Sequence, residues 1–365
     1  MVPGMSAYSS HTGTAMAGSW PMARVMAGMS AVPVTHAIDL AFFFPADAPV
    51  RHDALIAETR RHLGGCIAAV EMALRLSMDH APGVSAALDR CADPLAWPMV
   101  RAQPSLLAPG LLAHMQMRAG VTLMLRPFGQ ADIEQAEEAD GPLPTSDHPE
   151  LGDAVSALAL AEGRWLMPGG EVQPMRPDLP AEHFAELVWT VAACLATAAQ
   201  RIMADGGDAV PAAFERAVWK LLADHDEGAG PIAQADRLVR QMGEAADAPD
   251  LPGKALEQRR FLLFVALAAR RLRMDSVQVT DMLLLGPLSD LALLCRALGG
   301  SDGDYRHLMM ALRPVRPALT DIVIVAEADR YQAMSDPQVE AAMQALRTPA
   351  TFRAKLDHLR AVSAA

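Results

Sequence analysis

The stretch that decides the fold is Asp178-Leu179-Pro180-Ala181-Glu182-His183-Phe184-Ala185-Glu186-Leu187-Val188-Trp189, running on through Ala199 to Arg201-Ile202-Met203. Phe184, Leu187, Val188, Val191, Ala192, Leu195, Ala199 and Ile202 recur at steps of three and four, which lays one apolar stripe along one face of a helix. Asp178 is placed to act as N-cap, because a carboxylate there accepts from backbone N–H groups that have no partner within the helix. Pro180 falls in the first turn, where no intrahelical donor is lost, and Glu182 and Glu186 bring negative charge to the positive end of the dipole. The uncharged run from Leu187 to Ala199 is shorter than the roughly 20 residues a bilayer crossing needs. The reading is a core helix in which Leu187, Val188, Val191 and Leu195 are buried.

Composition sets the frame for the rest. The chain has 365 residues, 52% of them hydrophobic, enough for two compact domains or one extended helical array. Formal charge is −12 and no lysine- or arginine-rich tract is present. That balance argues against a nucleic-acid binder, whose affinity comes from neutralising phosphates, and against an anionic membrane surface. Cys66, Cys91, Cys194 and Cys295 are far apart, mostly among apolar neighbours, with no CxxC pair. Zinc needs clustered ligands and a disulfide scaffold needs density, so buried, reduced thiols in a cytoplasmic protein are expected.

In chain order, residues 1–38 hold a single charged side chain, Arg24, with six methionines and much Gly, Ala, Ser and Pro. This reads as a disordered tail, or as an over-long start with true initiation at a methionine such as Met29. Phe42-Phe43-Phe44 is expected to anchor the approach to a first helix over about 52–77, where Leu55, Leu63, Ile67, Val70 and Leu74 recur. Between Pro82 and Pro127 the prolines at 94, 98, 104 and 109 cut the pattern into short helices. From Pro127 to Gly163 there are nine acidic residues and no Lys or Arg, and Gly141-Pro142-Leu143-Pro144 interrupts that run, marking a boundary or loop. A helix follows from Pro149 to Leu166.

Beyond Met203, Asp208 and Pro231 each open a helix. A very apolar helix is expected from Leu256 to Leu272, and Asp275 with Gln278 resembles a capping box. Ser335 with Gln338 and Thr348 with Pro349 mark later helix starts. Ile322-Val323-Ile324-Val325 has strand-like branching, yet Leu319, Ile322, Val323 and Ala326 keep helical spacing and no partner strand is evident. The domains read as a tail over 1–38, a helical region over 39–138, an acidic connection with one helix over 139–177, and a C-terminal helical domain over 178–362.

Motifs with reactive chemistry are scarce. The chain contains no GxGxxG, phosphate-loop, GxSxG, HExxH or EF-hand pattern. Three constellations stand out. Asp224-His225-Asp226-Glu227-Gly228 gathers carboxylates and an imidazole that could serve as general base or metal ligands, although neighbours on a helix diverge and carboxylates at a helix C-terminus oppose the dipole. A polar turn ending the preceding helix near Ala223 is the blander reading. Arg259-Arg260, the apolar run Phe261 to Ala269, and Arg270-Arg271-Arg273 could bind lipid headgroups or an acidic partner. The apolar run covers nearly the whole circumference, so a buried helix with arginines reaching out at both ends is preferred, Arg259 and Arg270 sharing a face. His183, near the start of the central helix, reads as structural.

Asp178-Leu179-Pro180-Ala181-Glu182 leading into Leu187-Val188-Trp189, His225-Asp226-Glu227-Gly228 after a helix, and Phe264-Val265-Ala266-Leu267-Ala268 together resemble the bacterial family catalogued as domain of unknown function 2336. The resemblance covers about residues 40 to 362 and includes Phe42-Phe43-Phe44-Pro45. It implies an all-helical bacterial cytoplasmic protein and supplies no activity, cofactor or catalytic residue.

The expectation is therefore an all-α protein of short antiparallel helices, packed as bundles or as a curved HEAT-like array. Its function reads as a non-catalytic protein-interaction or regulatory module with an unidentified protein partner, no nucleic acid, no transmembrane segment and no cofactor. The alternatives are a hydrolase or metal-dependent enzyme using Asp224, His225, Asp226 and Glu227, and peripheral membrane binding through the Arg259–Arg273 helix.

Overall fold

The structure, a computed structural model, describes residues 53–91, 94–126, 149–167, 169–203 and 209–348, with a few positions between 352 and 360. The expected N-terminal tail, the Phe42–Phe44 anchor and the acidic Gly/Pro interruption lie outside the described residues. Within them the chain is helical and has no strand. In order come α1 (Asp53–Leu76), α2 (Pro82–Asp89), α3 (Ala96–Ala102), α4 (Pro109–Leu125), α5 (Pro149–Leu166), α6 (Ala181–Met203), α7 (Val210–Ala223) and α8 (Pro231–Met242). They are followed by α9 (Leu251–Glu257), α10 (Phe261–Leu272), α11 (Ser276–Leu284), α12 (Leu288–Ala297), α13 (Asp302–Ala311), α14 (Asp321–Gln332) and α15 (Asp336–Arg347). None of the described helices is long and apolar enough to cross a membrane.

Two hydrophobic cores share these helices. One gathers α1, α2, α3, the first half of α4, α6 and α7; the other gathers Leu55 of α1, the second half of α4, α5 and α8 to α15. The segment 178–362 read as one domain thus supplies both cores, with α6 and α7 joining the N-terminal helices. Helix α4 divides its length between the two, and every residue from Leu111 to Leu123 is buried. The prolines before it look like breaks in sequence, but Pro109 sits at the first turn, where its missing N–H costs nothing. Helix α4 packs against α1, α5, α6, α10 and α11. A one-dimensional array lets each unit touch only its neighbours, so pairing between α4 and helices over 130 residues away is bundle packing.

The buried stripe of α6 runs as its spacing predicts: Leu187, Val188, Val191 and Leu195 are fully buried. Its cap differs. The Asp178 carboxylate does not reach the helix; the Ala181 N–H donates instead to Glu227 Oε2, 3.1 Å away. Two other helices begin the same way. Glu71 of α1 accepts from the backbone N–H groups of Leu95 (3.0 Å) and Ala96 (2.9 Å) at the start of α3, and Glu186 of α6 accepts from Ala108 (3.1 Å) ahead of α4. Each carboxylate brings negative charge to the positive end of another helix and ties two helices together.

Between α5 and α6 an extended strap crosses α1 at Gly64-Gly65. A Cβ on Gly64 would collide with the Glu171 carbonyl, and one on Gly65 would lie 2.9 Å from both the Gln173 oxygen and the Met175 Cβ. The pair of glycines brings the two backbones close enough for the Met175 N–H to donate to the Gly65 carbonyl at 2.9 Å.

Three further expectations are revised. The single helix read over Leu256–Leu272 is two, because Arg259 takes a left-handed conformation (φ 57°) and the Arg260 N–H closes back on the Ala255 carbonyl at 2.8 Å. This is the closure that usually ends a helix on glycine. Arg259 therefore lies outside α10, and it shares no helix face with Arg270. Asp275 does cap α11, accepting from Val277 and Gln278 N–H, but Gln278 turns away to donate to the Leu346 carbonyl, so the box is half made. The residues 322–325 are helical, within α14, with a different face inward: Ile324, Ala328 and Tyr331 are buried whereas Ile322 and Ala326 are exposed. Ser335 with Gln338 marks the start of α15 as read, the Gln338 Oε1 accepting from the Ser335 N–H and hydroxyl.

Arg316 is buried and donates to the carbonyls of Leu283 (2.7 Å), Met282 (3.1 Å) and Gly286 (2.7 Å). It closes the C-terminal end of α11, where carbonyls lack helical partners. Burial pulls its pKa down to about 10, leaving it charged at neutral pH.

Candidate functional site

Helix α7 ends at Ala223, and Asp224 to Gly230 form the turn into α8. The His225 ring stacks on Phe184, with centroids 3.8 Å apart and planes 12° from parallel. Its Nε2 lies 2.8 Å from the Leu179 carbonyl, which can only accept, so Nε2 carries the proton. Asp226 accepts from the Gly228 N–H at 3.0 Å, closing the turn, and Glu227 is committed to the start of α6. His225, Asp226 and Glu227 are thus engaged in separate structural bonds. Among the described residues no group of three His, Cys, Asp or Glu side chains could hold a metal ion.

Asp224, His225 and Asp226 do share one feature. They line a cleft of about 220 Å³ whose floor is Ala69, Val70 and Ala73 of α1 with Phe184 and Leu221, and whose rim includes Arg176. Chemically it offers an apolar floor beside two carboxylates and a guanidinium, and its lining contains no Ser, Thr, Cys or Lys.

Behind this cleft lies a buried polar layer that the sequence reading did not single out. The Asp178 side chain is fully buried, with Arg164 at 3.4 Å, Arg176 at 3.2 Å and the Trp165 Nε1–H at 3.3 Å. Arg118 of α4, also fully buried, lies over the Trp165 ring at 4.6 Å and donates to the Arg176 carbonyl at 3.1 Å. Next to it Glu58 binds Arg61 and Arg126, while Arg61 donates to the carbonyls of Trp165 (2.7 Å) and Met167 (2.9 Å) at the end of α5. A signal existed: Glu58, Arg61 and His62 interrupt the inward face of α1, and His114, Gln116, Arg118 and Thr122 interrupt the apolar run of α4.

His62, fully buried, has Nε2 3.1 Å from Glu58 and 2.9 Å from Thr122 Oγ1, while Nδ1 has no hydrogen-bond partner among the described residues. A second proton would have to sit on that orphaned nitrogen. Burial therefore holds the imidazole down to about 3; Glu58 opposes this, and Arg118 and Arg61 add to it. Burial pushes Glu58 up, but hydrogen bonds from His62 and Arg61 and their charge bring it down to about 2. The signs agree. Below its ordinary value of 6.5 the unfolded chain takes up a proton at His62 that the folded chain refuses down to about 3, so stability falls as pH drops through that window. The depressed Glu58 adds to the loss between 4.5 and about 2. From about pH 8 to about pH 5, His62 alone is expected to remove about 2 kcal/mol. Urea midpoints against pH for the wild type and His62→Gln check this, and an unchanged slope in the variant would refute it.

The Arg259–Arg273 region is spent on the fold. Every residue from Phe261 to Ala269 is buried, so α10 has no apolar face left for lipid. Arg270 pairs with Asp247 at 2.8 Å, and Arg271 donates to the carbonyls of Ala248 (2.7 Å) and Pro249 (3.2 Å). His183 lies against His114, with ring centroids 5.0 Å apart. Cys66, Cys194 and Cys295 are buried free thiols and Cys91 is half-buried.

The surface feature that stands apart is on the outer face of α6 and α7. Trp97 and Trp165 are 3% and 2% exposed, but Trp189 is 39% and Trp219 58% exposed, and these two pack edge to face at 5.6 Å. The core stripe on the opposite side of each helix leaves these rings outside. Sequence reading saw Trp189 only as part of the central helix; it lies 140° in helical phase from Phe184, off the buried stripe.

No family model, curated protein or solved structure matches the chain, so the family resemblance stands on its quoted motifs alone.

Proposed function

We propose that the protein is a non-catalytic protein-interaction module of the cytoplasm, and that it binds through the face carrying Trp189 and Trp219. The observation that carries this reading is the exposed pair itself. Tryptophan is the side chain most enriched among residues that dominate binding energy, because a rigid ring buries much apolar area at little entropic cost. A fold that buries Trp97 and Trp165 almost completely leaves two more in water side by side. Supporting it, His225, Asp226 and Glu227 are each engaged in bonds that hold the turn and α6. The free thiols accord with a reducing compartment.

The test is capture from native lysate with the wild type and with Trp189→Ala/Trp219→Ala. The wild type is expected to retain a stable partner, or a copy of itself, that the double variant loses while its circular dichroism is unchanged. Equal retention by both chains, or none by either, overturns the reading.

A further inference from the structure

The binding face of α7 carries a pattern that identifies its occupant, and this inference rests on the reading of that face as an interaction surface. Ala212, Glu215, Arg216, Trp219, Lys220 and Ala223 are all exposed. At about 100° per residue Ala212, Glu215, Arg216 and Ala223 fall within about 60° of the Trp219 direction, and Lys220 flanks that face at about 100°. Among the described residues Glu215, Arg216 and Lys220 enter no ion pair or side-chain hydrogen bond, so their charges are unspent there.

The order along the helix is self-complementary. A two-fold axis crossing α7 between Ala217 and Val218 sets Ala212 against Ala223, Glu215 against Lys220 and Arg216 against Trp219 of a second copy. Each of the two Glu215–Lys220 juxtapositions joins opposite charges, and each Arg216 meets an indole, the ring that attracts a guanidinium best. The alanines at both ends let the helices approach. A parallel pairing would instead set Glu215, Arg216 and Lys220 each against itself, and like charges so placed repel. Trp189, edge-on to Trp219, braces the ring from the neighbouring helix.

We propose that the occupant of this face is a second copy of the chain, docked antiparallel along α7 as an isologous dimer. The test is sedimentation velocity of the full chain over a concentration series, with circular dichroism as the folding control. The wild type is expected to dimerise. Glu215→Lys and Lys220→Glu, each converting two attractive juxtapositions into repulsive ones, are expected to weaken association about tenfold or more. An equimolar mixture of the two single variants restores opposite charges at both positions and is expected to recover the dimer. A wild type that stays monomeric overturns the proposal, and capture of a different protein through the tryptophans would then still support the broader reading. A dimer indifferent to both reversals also overturns the antiparallel register.

Discussion

Asp178→Ala is expected to lower the free energy of unfolding by about 3 kcal/mol, measured by equilibrium urea denaturation at neutral pH. Removing one partner of a buried ion pair costs about 3–5 kcal/mol, because the opposite charge is left without compensation. Here the carboxylate serves Arg164, Arg176 and the Trp165 indole N–H together. Arg164 and Arg176 have side chains 31% and 53% exposed, so both recover some hydration, which sets the low end of that range. The Trp165 N–H is buried and loses its acceptor outright. The loss is also local. Asp178 pins the end of the strap that crosses Gly64-Gly65, so the Met175 amide, bonded to the Gly65 carbonyl, is expected to exchange faster than amides in α6. Asp178→Asn keeps the shape and an acceptor but not the charge, and its cost should fall between the two. A wild-type urea midpoint in Asp178→Ala would show that the three donors are satisfied without it.

The same residue shows where sequence reading stops. Locally Asp178 has every mark of an N-cap, two residues before Pro180 and ahead of an apolar stripe. The true cap is Glu227, 46 residues beyond the Ala181 whose N–H it accepts. Glu71 and Glu186 likewise start α3 and α4 from other helices, and a window along the chain cannot see such partners. What was legible followed from period: α1 and α6 each have one wet and one dry side, and the repeat of three and four gives their inward residues. Helix α4 is dry on all sides, so it has no period to read, and proline in its first turn resembled a break. Arg259 was unreadable as a helix stop because the left-handed conformation it adopts is one that sequence assigns to glycine. In the candidate turn, the residues Asp224 to Glu227 were legible as polar, and the end of α7 at Ala223 as well. The engagements of His225 and Glu227 come from Leu179, Ala181 and Phe184, which only folding brings near.

Helix α6 offers the sharpest test of how the two faces divide their work. Val191→Asp should cost at least about 4–5 kcal/mol, more than loss of the Asp178 carboxylate, and abolish the cooperative thermal transition. Val191 is fully buried in the core that α6 builds with α1, α2, α3, α4 and α7, where the core-lining side chains offer a carboxylate little to pair with. A stability of about 5–15 kcal/mol for the whole domain leaves little after such a loss. Two residues earlier, Trp189→Asp changes the exposed side and should cost no more than about 1 kcal/mol while removing binding. Circular dichroism melts of the two variants side by side decide the matter. If Val191→Asp melts like the wild type, the inward face assigned to α6 is wrong. If Trp189→Asp unfolds as readily as Val191→Asp, the exposed ring is part of the core, and its availability to a partner falls with it. The division matters for function because only a residue that the fold does not need can be free to meet a second surface.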